Sequence, residues 1–516
     1  MKTFKNPILP GFYPDPSICR VGEDYYLVTS SFAYFPGVPI FHSRDLVNWE
    51  QIGHVLDRPS QLPLEGQGVS RGIFAPTIRY HDGVFYMITT NVGAGGNFFV
   101  TAKDPAGPWS DPYYLDAPGI DPSLFFDEDG KVYYHGTRPA PEGEKYSGNW
   151  EVWLQELDLE TKKLIGEPIG LWRGALRDVI WPEGPHIYKV DDYYYLMISE
   201  AGTGHHHAVS IARSKTITGP YEGNPGNPIL THRHLGKEYP IVNVGHCDLV
   251  ETQHGEWWAV GLASRIYGGY YRNLGRETYL LPVIWEDGWP IMSPGTGKLE
   301  MEYPLPTLPE GKSVIPSVCD HFDNVKLDLK YNFLRSAEGE FYSLSERPGF
   351  LRLKLRPQKL SELDTPSFVG RRQQHIDFAT STVMEFTPEK ENEEAGIVLL
   401  QSNEFHFRFV FTKKRDGESV VRLVKCAGGE EEVLQEMPLN VSKLYLKVAA
   451  RGQDYSFYVG ETSDSFEPLM ENVDGRILST DVAGGFVGAE LGLYASSNGE
   501  SSDNKAYFDW FEYVGV

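Results

Sequence analysis

Asp15 and Asp121 each stand directly before a proline and three residues before an aliphatic side chain, in Asp15-Pro16-Ser17-Ile18 and Asp121-Pro122-Ser123-Leu124. Glu183 holds nearly the same place in Glu183-Gly184-Pro185-His186-Ile187, and His246 leads Cys247-Asp248-Leu249. One Asp-Pro is an ordinary turn dipeptide. Three carboxylates and an imidazole recurring in one register call for a common cause. Brought to one opening, they repel one another and their pKa values move apart, as acid–base sites require. A carboxyl that stays protonated and one that stays ionised can together cleave a glycosidic bond. The first donates to the leaving oxygen and the second attacks or activates water. A third carboxylate can hold the acid's pKa up by repulsion.

The register belongs to a repeat. Five segments share a short strand, a tight turn rich in Asp, Gly or Glu, and an aromatic second strand, which is the pattern of a β-hairpin. The second of them, Ala75-Pro76-Thr77-Ile78 to Tyr86, carries alanine where the others carry a polar group or glycine. With Ile18, Ile78, Leu124, Ile187 and Leu249 as equivalents, the spacings are 60, 46, 63 and 62 residues. That is too long for a hairpin and suits a four-stranded sheet. Sheets repeated radially at such a period are propeller blades. The expectation is an all-β chain whose residues 1–300 form a five-bladed β-propeller. If the repeated strands are innermost, Asp15, Asp121, Glu183 and His246 ring one axial opening.

After Trp289-Pro290 the pattern changes. Pro304, Pro306, Pro309 and Pro316 break up a stretch read as a connector, 301–318. Beyond it, runs such as Phe405-His406-Phe407-Arg408-Phe409 and Tyr445-Leu446-Lys447-Val448 alternate with period two. Residues 319–516 are therefore expected to form a β-sandwich, jelly-roll-like, packed on the propeller.

Composition narrows the partners. The chain has 516 residues, 47 Lys and Arg against 71 Asp and Glu, and a net charge of −24. That field repels nucleic acid and anionic membrane surfaces. Aromatic residues make up 13% and supply flat faces for sugar rings, although most must be core. No run of 18 apolar residues exists and no leader is visible, so a reduced cytoplasm is the expected compartment. Cys19, Cys247, Cys319 and Cys426 are far apart and give no zinc or disulfide framework. In His205-His206-His207, consecutive strand residues would point to opposite faces, so the three cannot all ligate one ion.

Several segments resemble glycoside hydrolase family 43, in its β-xylosidase and α-L-arabinofuranosidase branch. They include Tyr13-Pro14-Asp15-Pro16-Ser17, Phe35-Pro36-Gly37-Val38, Gly119-Ile120-Asp121-Pro122-Ser123, Pro182-Glu183-Gly184-Pro185 and Leu274-Gly275-Arg276-Glu277-Thr278. The resemblance extends to Ser345-Glu346-Arg347-Pro348-Gly349 and Phe368-Val369-Gly370-Arg371-Arg372-Gln373 in the second domain. It implies an inverting hydrolase with Asp15 as general base, Asp121 as pKa-modulating carboxylate and Glu183 as general acid. It places a central histidine at His246, near a bound calcium or water cluster, and a substrate-binding arginine at Arg276. It gives pocket-wall positions to Phe32, Phe74 and His207. It gives Phe368 to a sandwich loop that reaches back to close the pocket. It implies no required cofactor, allows a structural calcium near the axis with His246 as metal contact, and leaves assembly into a homo-oligomer open.

The expected activity is exo-acting release of terminal α-L-arabinofuranosyl or β-D-xylosyl units from hemicellulose-derived oligosaccharides. Phe74 stands where many β-xylosidases carry Trp, and Ala33 where many relatives carry an acid, so the choice of pentose stays open. An endo-arabinanase, which needs an open groove, and a non-catalytic carbohydrate-binding propeller are the alternatives. The intact carboxylate set disfavours the latter.

Overall fold

Between the strands Thr77–His81 and Val84–Asn91, Asp82 and Gly83 both have positive φ, 48° and 80°. A two-residue hairpin turn of type I′ demands this, and it explains why Asp-Gly recurs between the paired strands. The structure is a computed structural model and describes residues 2–311 and 318–516.

Residues 17–292 build five antiparallel sheets with four strands each in chain order, the fourth sheet carrying in addition the short strand Leu230–Thr231 paired with Ala208–Ser214. The first strands are Ser17–Val21, Thr77–His81, Ile120–Phe126, Glu183–Val190 and Ile241–Glu251. Each packs against the first strand of the next sheet, and the fifth packs back against the first, so the ring closes. The N-terminal segment joins the last sheet through backbone contacts of Leu9 with Thr278 and the Asn6 carboxamide with Leu280. Apolar side chains fill the seams between sheets, for example Tyr86, Phe99, Leu124, Tyr134 and Trp153.

The hairpin period shows in two layers of side chains along the inner strands. Asp15, Ala75, Asp121, Gly184 and His246 form one layer. Two residues on, Ser17, Thr77, Ser123, His186 and Asp248 form the next, all buried. One network crosses this second layer. Arg79 Nη1 donates to Asp248 Oδ2 at 2.9 Å, and Arg79 Nη2 lies 3.0 Å from His186 Nδ1. The hydroxyls of Ser17 and Tyr188 donate to the Asp248 carboxylate at 2.7 and 2.6 Å, and Ser123 Oγ lies 3.2 Å from His186 Nδ1. All five sheets contribute to this polar axle.

Burial opposes ionisation of Asp248, but the charge of Arg79, then that of His186, outweighs it and holds the carboxyl well below the usual range. Its contribution to stability is thus present at neutral pH and lost as pH falls below the ordinary aspartate value. Asp248→Asn strands the Arg79 guanidinium. It should cost about 3–5 kcal/mol of folding free energy at pH 7, with a smaller difference in acid. Urea unfolding of both proteins at the two pH values measures it, and equal stabilities would contradict the role.

The second domain is a sandwich of two antiparallel sheets, of six and eight strands. Phe407, Phe409 and Phe411 of one meet Leu446, Val448 and Phe457 of the other in its core. It docks on the ring by more than side-chain packing. Phe333–Leu334 pairs with Tyr34–Phe35 of the first domain, and Arg372 Nε donates to the Phe12 carbonyl at 2.6 Å. Glu302–Pro304, assigned to the connector from its prolines, is instead a strand paired with Thr3–Lys5. Pro304 is tolerated because the pair is two strands wide and therefore all edge. Within the connector, 312–317 with Pro316 lie outside the described residues. Among the described residues no helix is long and apolar enough to cross a membrane.

Candidate active site

The positions that the repeat aligns share a backbone conformation. Asp15, Asp121, Gly184 and His246 have φ of 52°, 54°, 55° and 48°. In three of the sheets the ladder slips there, between Ile120 and Ser123, Glu183 and His186, and Gly245 and Asp248. A bulge re-aims a side chain, and left-handed non-glycine residues cost about 1–3 kcal/mol each, so the fold spends stability to point these groups. In the fourth sheet the equivalent residue is glycine for a steric reason. A Cβ on Gly184 would lie 2.8 Å from His246 Cε1. With no room for a side chain there, the carboxylate comes from the preceding residue, Glu183.

Asp15, Asp121, Glu183, His246 and Arg276 all line one cavity of about 280 Å³. That is at the small end for small-molecule pockets, about 300–1,000 Å³. Arg276 Nη1 donates to Asp15 Oδ1 at 2.7 Å, and Ser30 Oγ donates to Asp15 Oδ2 at 2.5 Å. His246 Nδ1 stands 3.7 Å from the same carboxylate. The backbone N–H of Gly184 donates to Asp121 Oδ2 at 3.0 Å, which ties the second carboxylate to the chain beside the third.

These environments separate the three acids. Burial opposes ionisation of Asp15, but Arg276, then His246, Ser30 and His207, outweigh it and lower its pKa. Burial raises Asp121, and the charge of Asp15 adds to this, against the pull of His246. Glu183 is raised furthest, by burial, then by the charges of Asp121 and Asp15, with only Arg276 opposing. The two shifts run in opposite directions, favouring the ionised form of Asp15 and the protonated form of Glu183.

The walls are aromatic. Phe32 and Phe74 line the cavity, together with Trp150 and Trp181. His207 Nδ1 lies 2.9 Å from the Asn243 carbonyl, which can only accept, so that nitrogen carries the proton. Burial lowers the His207 pKa to about 4, and Nε2 is buried without a partner. His205 and His206 precede the strand Ala208–Ser214 in a turn rather than in it, and only His207 of the three lines the cavity.

Phe368 requires a correction. It lies within the strand Ser367–Arg372, fully buried, and packs with Phe12, Phe32 and Tyr34 between the domains rather than lining the cavity. The sandwich residue at the cavity is Phe486, 39% exposed, whose ring stacks on Phe32 at 6.1 Å and meets Phe74 edge-on at 5.8 Å. Ser70 Oγ accepts from its N–H at 2.9 Å, and Arg276 Nη2 donates to its carbonyl at 3.3 Å. Phe486→Ala should lower kcat/KM on short glycosides about tenfold or more, because removal of an aromatic wall opens the site to water. Unchanged kinetics would relegate Phe486 to docking. Trp150, Trp181 and Phe486 fall outside the repeated register, so sequence reading missed them. Only the nearness of Trp181 to Glu183 hinted at one.

Calcium takes six to eight oxygen ligands. His246 offers one nitrogen, so a calcium beside it would have to take its oxygen ligands from Asp15, Asp121 or water.

Comparison with known proteins agrees with this arrangement. Residues 4–290 match the model of glycosyl hydrolases family 43, and residues 319–514 match a β-xylosidase C-terminal concanavalin A-like domain. The sandwich is thus of the concanavalin type, a narrower description than jelly-roll-like. A xylosidase/arabinosidase of Butyrivibrio fibrisolvens is 53% identical over 511 residues, with 98% of each chain covered. A non-reducing end α-L-arabinofuranosidase of Bacteroides ovatus is 42% identical, covering 99% of this chain and 95% of its own. The solved xylan β-1,4-xylosidase of Bacillus halodurans superposes with a TM-score of 0.93 at 37% identity over 99% of both chains. With matches that span both domains and a cavity built from opposed carboxyl groups, the chain belongs to glycosyl hydrolases family 43.

Proposed function

We propose that this glycosidase releases single terminal α-L-arabinofuranosyl or β-D-xylosyl units from the non-reducing ends of small oligosaccharides, with inversion. The observation that carries the reading is the convergence of Asp15, Asp121 and Glu183 on one small aromatic cavity, where the pKa of Asp15 is pushed down and that of Glu183 up. Glu183 gives its proton to the glycosidic oxygen as the bond to the anomeric carbon breaks. Asp15 takes a proton from a water whose oxygen forms the new bond on the opposite face. Asp121 keeps Glu183 protonated until that moment, and Arg276 holds Asp15 in place. The carboxyls of Asp15 and Glu183 should stand about 6.5–9.5 Å apart, room for the water. Acid and base are both side chains of this protein, so the reaction needs no cofactor and survives a chelator.

The ring of five sheets is read as five propeller blades, running to about Pro304, with the sandwich beginning near residue 319. Phe486 and the docked sandwich wall one side of the cavity, which favours exo action over an endo-arabinanase groove. The relatives act on both pentosides by name, which supports both as substrates here. Time-resolved NMR of hydrolysis of 4-nitrophenyl arabinofuranoside and xyloside tests the proposal. Turnover of at least one, with the inverted anomer appearing first, is expected. A retained anomer, or no turnover of either, would overturn it.

A further inference from the structure

We propose that His406, Cys426 and Glu431 form a site for a thiophilic divalent metal, zinc in particular, on the sandwich domain and apart from the catalytic cavity. The cysteine spacing gives no hint of it, because the site is made by the ladder. Three adjacent strands, Phe405–Lys413, Ser419–Ala427 and Glu430–Pro438, pair His406 with Cys426 and Cys426 with Glu431 directly across. Residues directly opposite in antiparallel strands share a face. Imidazole, thiol and carboxyl therefore line up side by side, with their ligand atoms within 4.8 Å of one another. Among the described residues this is the one such group of three.

A second observation points to a ligand. His406 is buried, and its Nε2 has no hydrogen-bond partner. Its Nδ1 lies 3.3 Å from the Ser402 carbonyl, which can only accept. The proton is therefore on Nδ1, and Nε2 presents a bare lone pair. A histidine oriented by a backbone carbonyl is the usual arrangement behind a metal ligand. Cys426 Sγ, also buried, donates only weakly to the Glu404 carbonyl at 3.4 Å. Glu431 is exposed at the rim and open to an incoming ion.

Arg408 grips Glu431 through both terminal nitrogens, and its charge is shared with Glu394, 3.1 Å away. The grip fixes the carboxylate without using all of its lone pairs. It serves as the hydrogen-bonded support that ligating carboxylates have.

The donor set decides the metal. One nitrogen, one sulfur and one carboxylate oxygen suit tetrahedral zinc, with water as fourth ligand, and exclude calcium and magnesium. Zinc–ligand bonds are about 2.0–2.3 Å, so the three atoms need close by only roughly 1 Å. On binding, the Cys426 S–H proton passes to solvent and a sulfur–metal bond replaces it.

The test uses the full chain freed of metal with a chelator. Cobalt(II) should bind at one per chain and give a near-ultraviolet thiolate-to-cobalt charge-transfer band, which zinc bleaches by displacement. Cys426→Ser should lose the band, and Glu431→Gln should weaken binding at least about tenfold, with aryl glycoside turnover unchanged in both. Should Cys426→Ser fail to fold, Glu431→Gln at the exposed rim carries the test alone. No charge-transfer band in the unaltered chain, a band that survives in Cys426→Ser, or undiminished binding by Glu431→Gln would each overturn the proposal. None of these outcomes bears on the hydrolase assignment, because no ligand lines the catalytic cavity.

Discussion

Glu183→Ala is expected to lose about 10²–10⁴ in kcat on an oligosaccharide and far less on a 4-nitrophenyl pentoside. A sugar hydroxylate is a poor leaving group and must be protonated as it departs. A 4-nitrophenolate leaves almost unaided. In the proposed scheme the proton of Glu183, whose pKa burial and two neighbouring carboxylates push up, is spent on the first and barely needed for the second. Asp15→Ala should instead depress both substrates by similar large factors, because Asp15 activates water whatever leaves. Azide, a nucleophile that needs no deprotonation, should partly restore turnover of Asp15→Ala and not of Glu183→Ala. Steady-state kinetics of the two variants on the two substrates decide it. Equal leaving-group dependence in both would reverse or dissolve the assignment of acid and base.

The second large effect concerns Asp121, which touches neither leaving group nor water in this scheme. Asp121→Asn keeps an acceptor for the Gly184 N–H, so the local backbone is retained. It removes the negative charge that, after burial, does most to raise Glu183. Activity requires Glu183 protonated, so activity is lost as pH rises through its pKa. Lowering that pKa moves the basic limb of the pH profile to lower pH, by about one unit or more. The acid limb, set by Asp15 through Arg276 and His246, should stay nearly in place. At neutral pH the variant then turns over about tenfold or more slowly, and recovers part of the loss in mild acid. A kcat profile with an unmoved basic limb would show that Asp121 acts on something other than the acid.

Much of this was legible in the chain itself. A repeat that alternates strand, tight turn and aromatic strand can bury its faces only by stacking with its copies, so a ring of sheets follows from periodicity. Residues at one register position then converge whatever the intervening loops do. Asp15, Asp121, Glu183 and His246 were recoverable for that reason, and the upward push on the Asp121 and Glu183 carboxyls follows from crowding carboxylates in a dry cavity. The one-residue offset of Glu183 was visible in the sequence. Its cause, the His246 ring against Gly184, was not.

What the tertiary structure alone decided lies where elements distant in sequence meet. Phe486 stacks on Phe32 because the sandwich docks on the ring, and no local period encodes that contact. Phe368 satisfied the same aromatic expectation, yet its place on a strand turns it to the interface between domains, one layer behind the wall it was expected to form. The tautomer of His207 is set by the Asn243 carbonyl, 36 residues away. The polar axle on Asp248 and the side-by-side array of His406, Cys426 and Glu431 exist only once strands are in register. Side-chain type and strand period are properties of the chain. Which face a strand presents, and to what, is settled by burial of the whole, since turning any one face costs every apolar contact behind it.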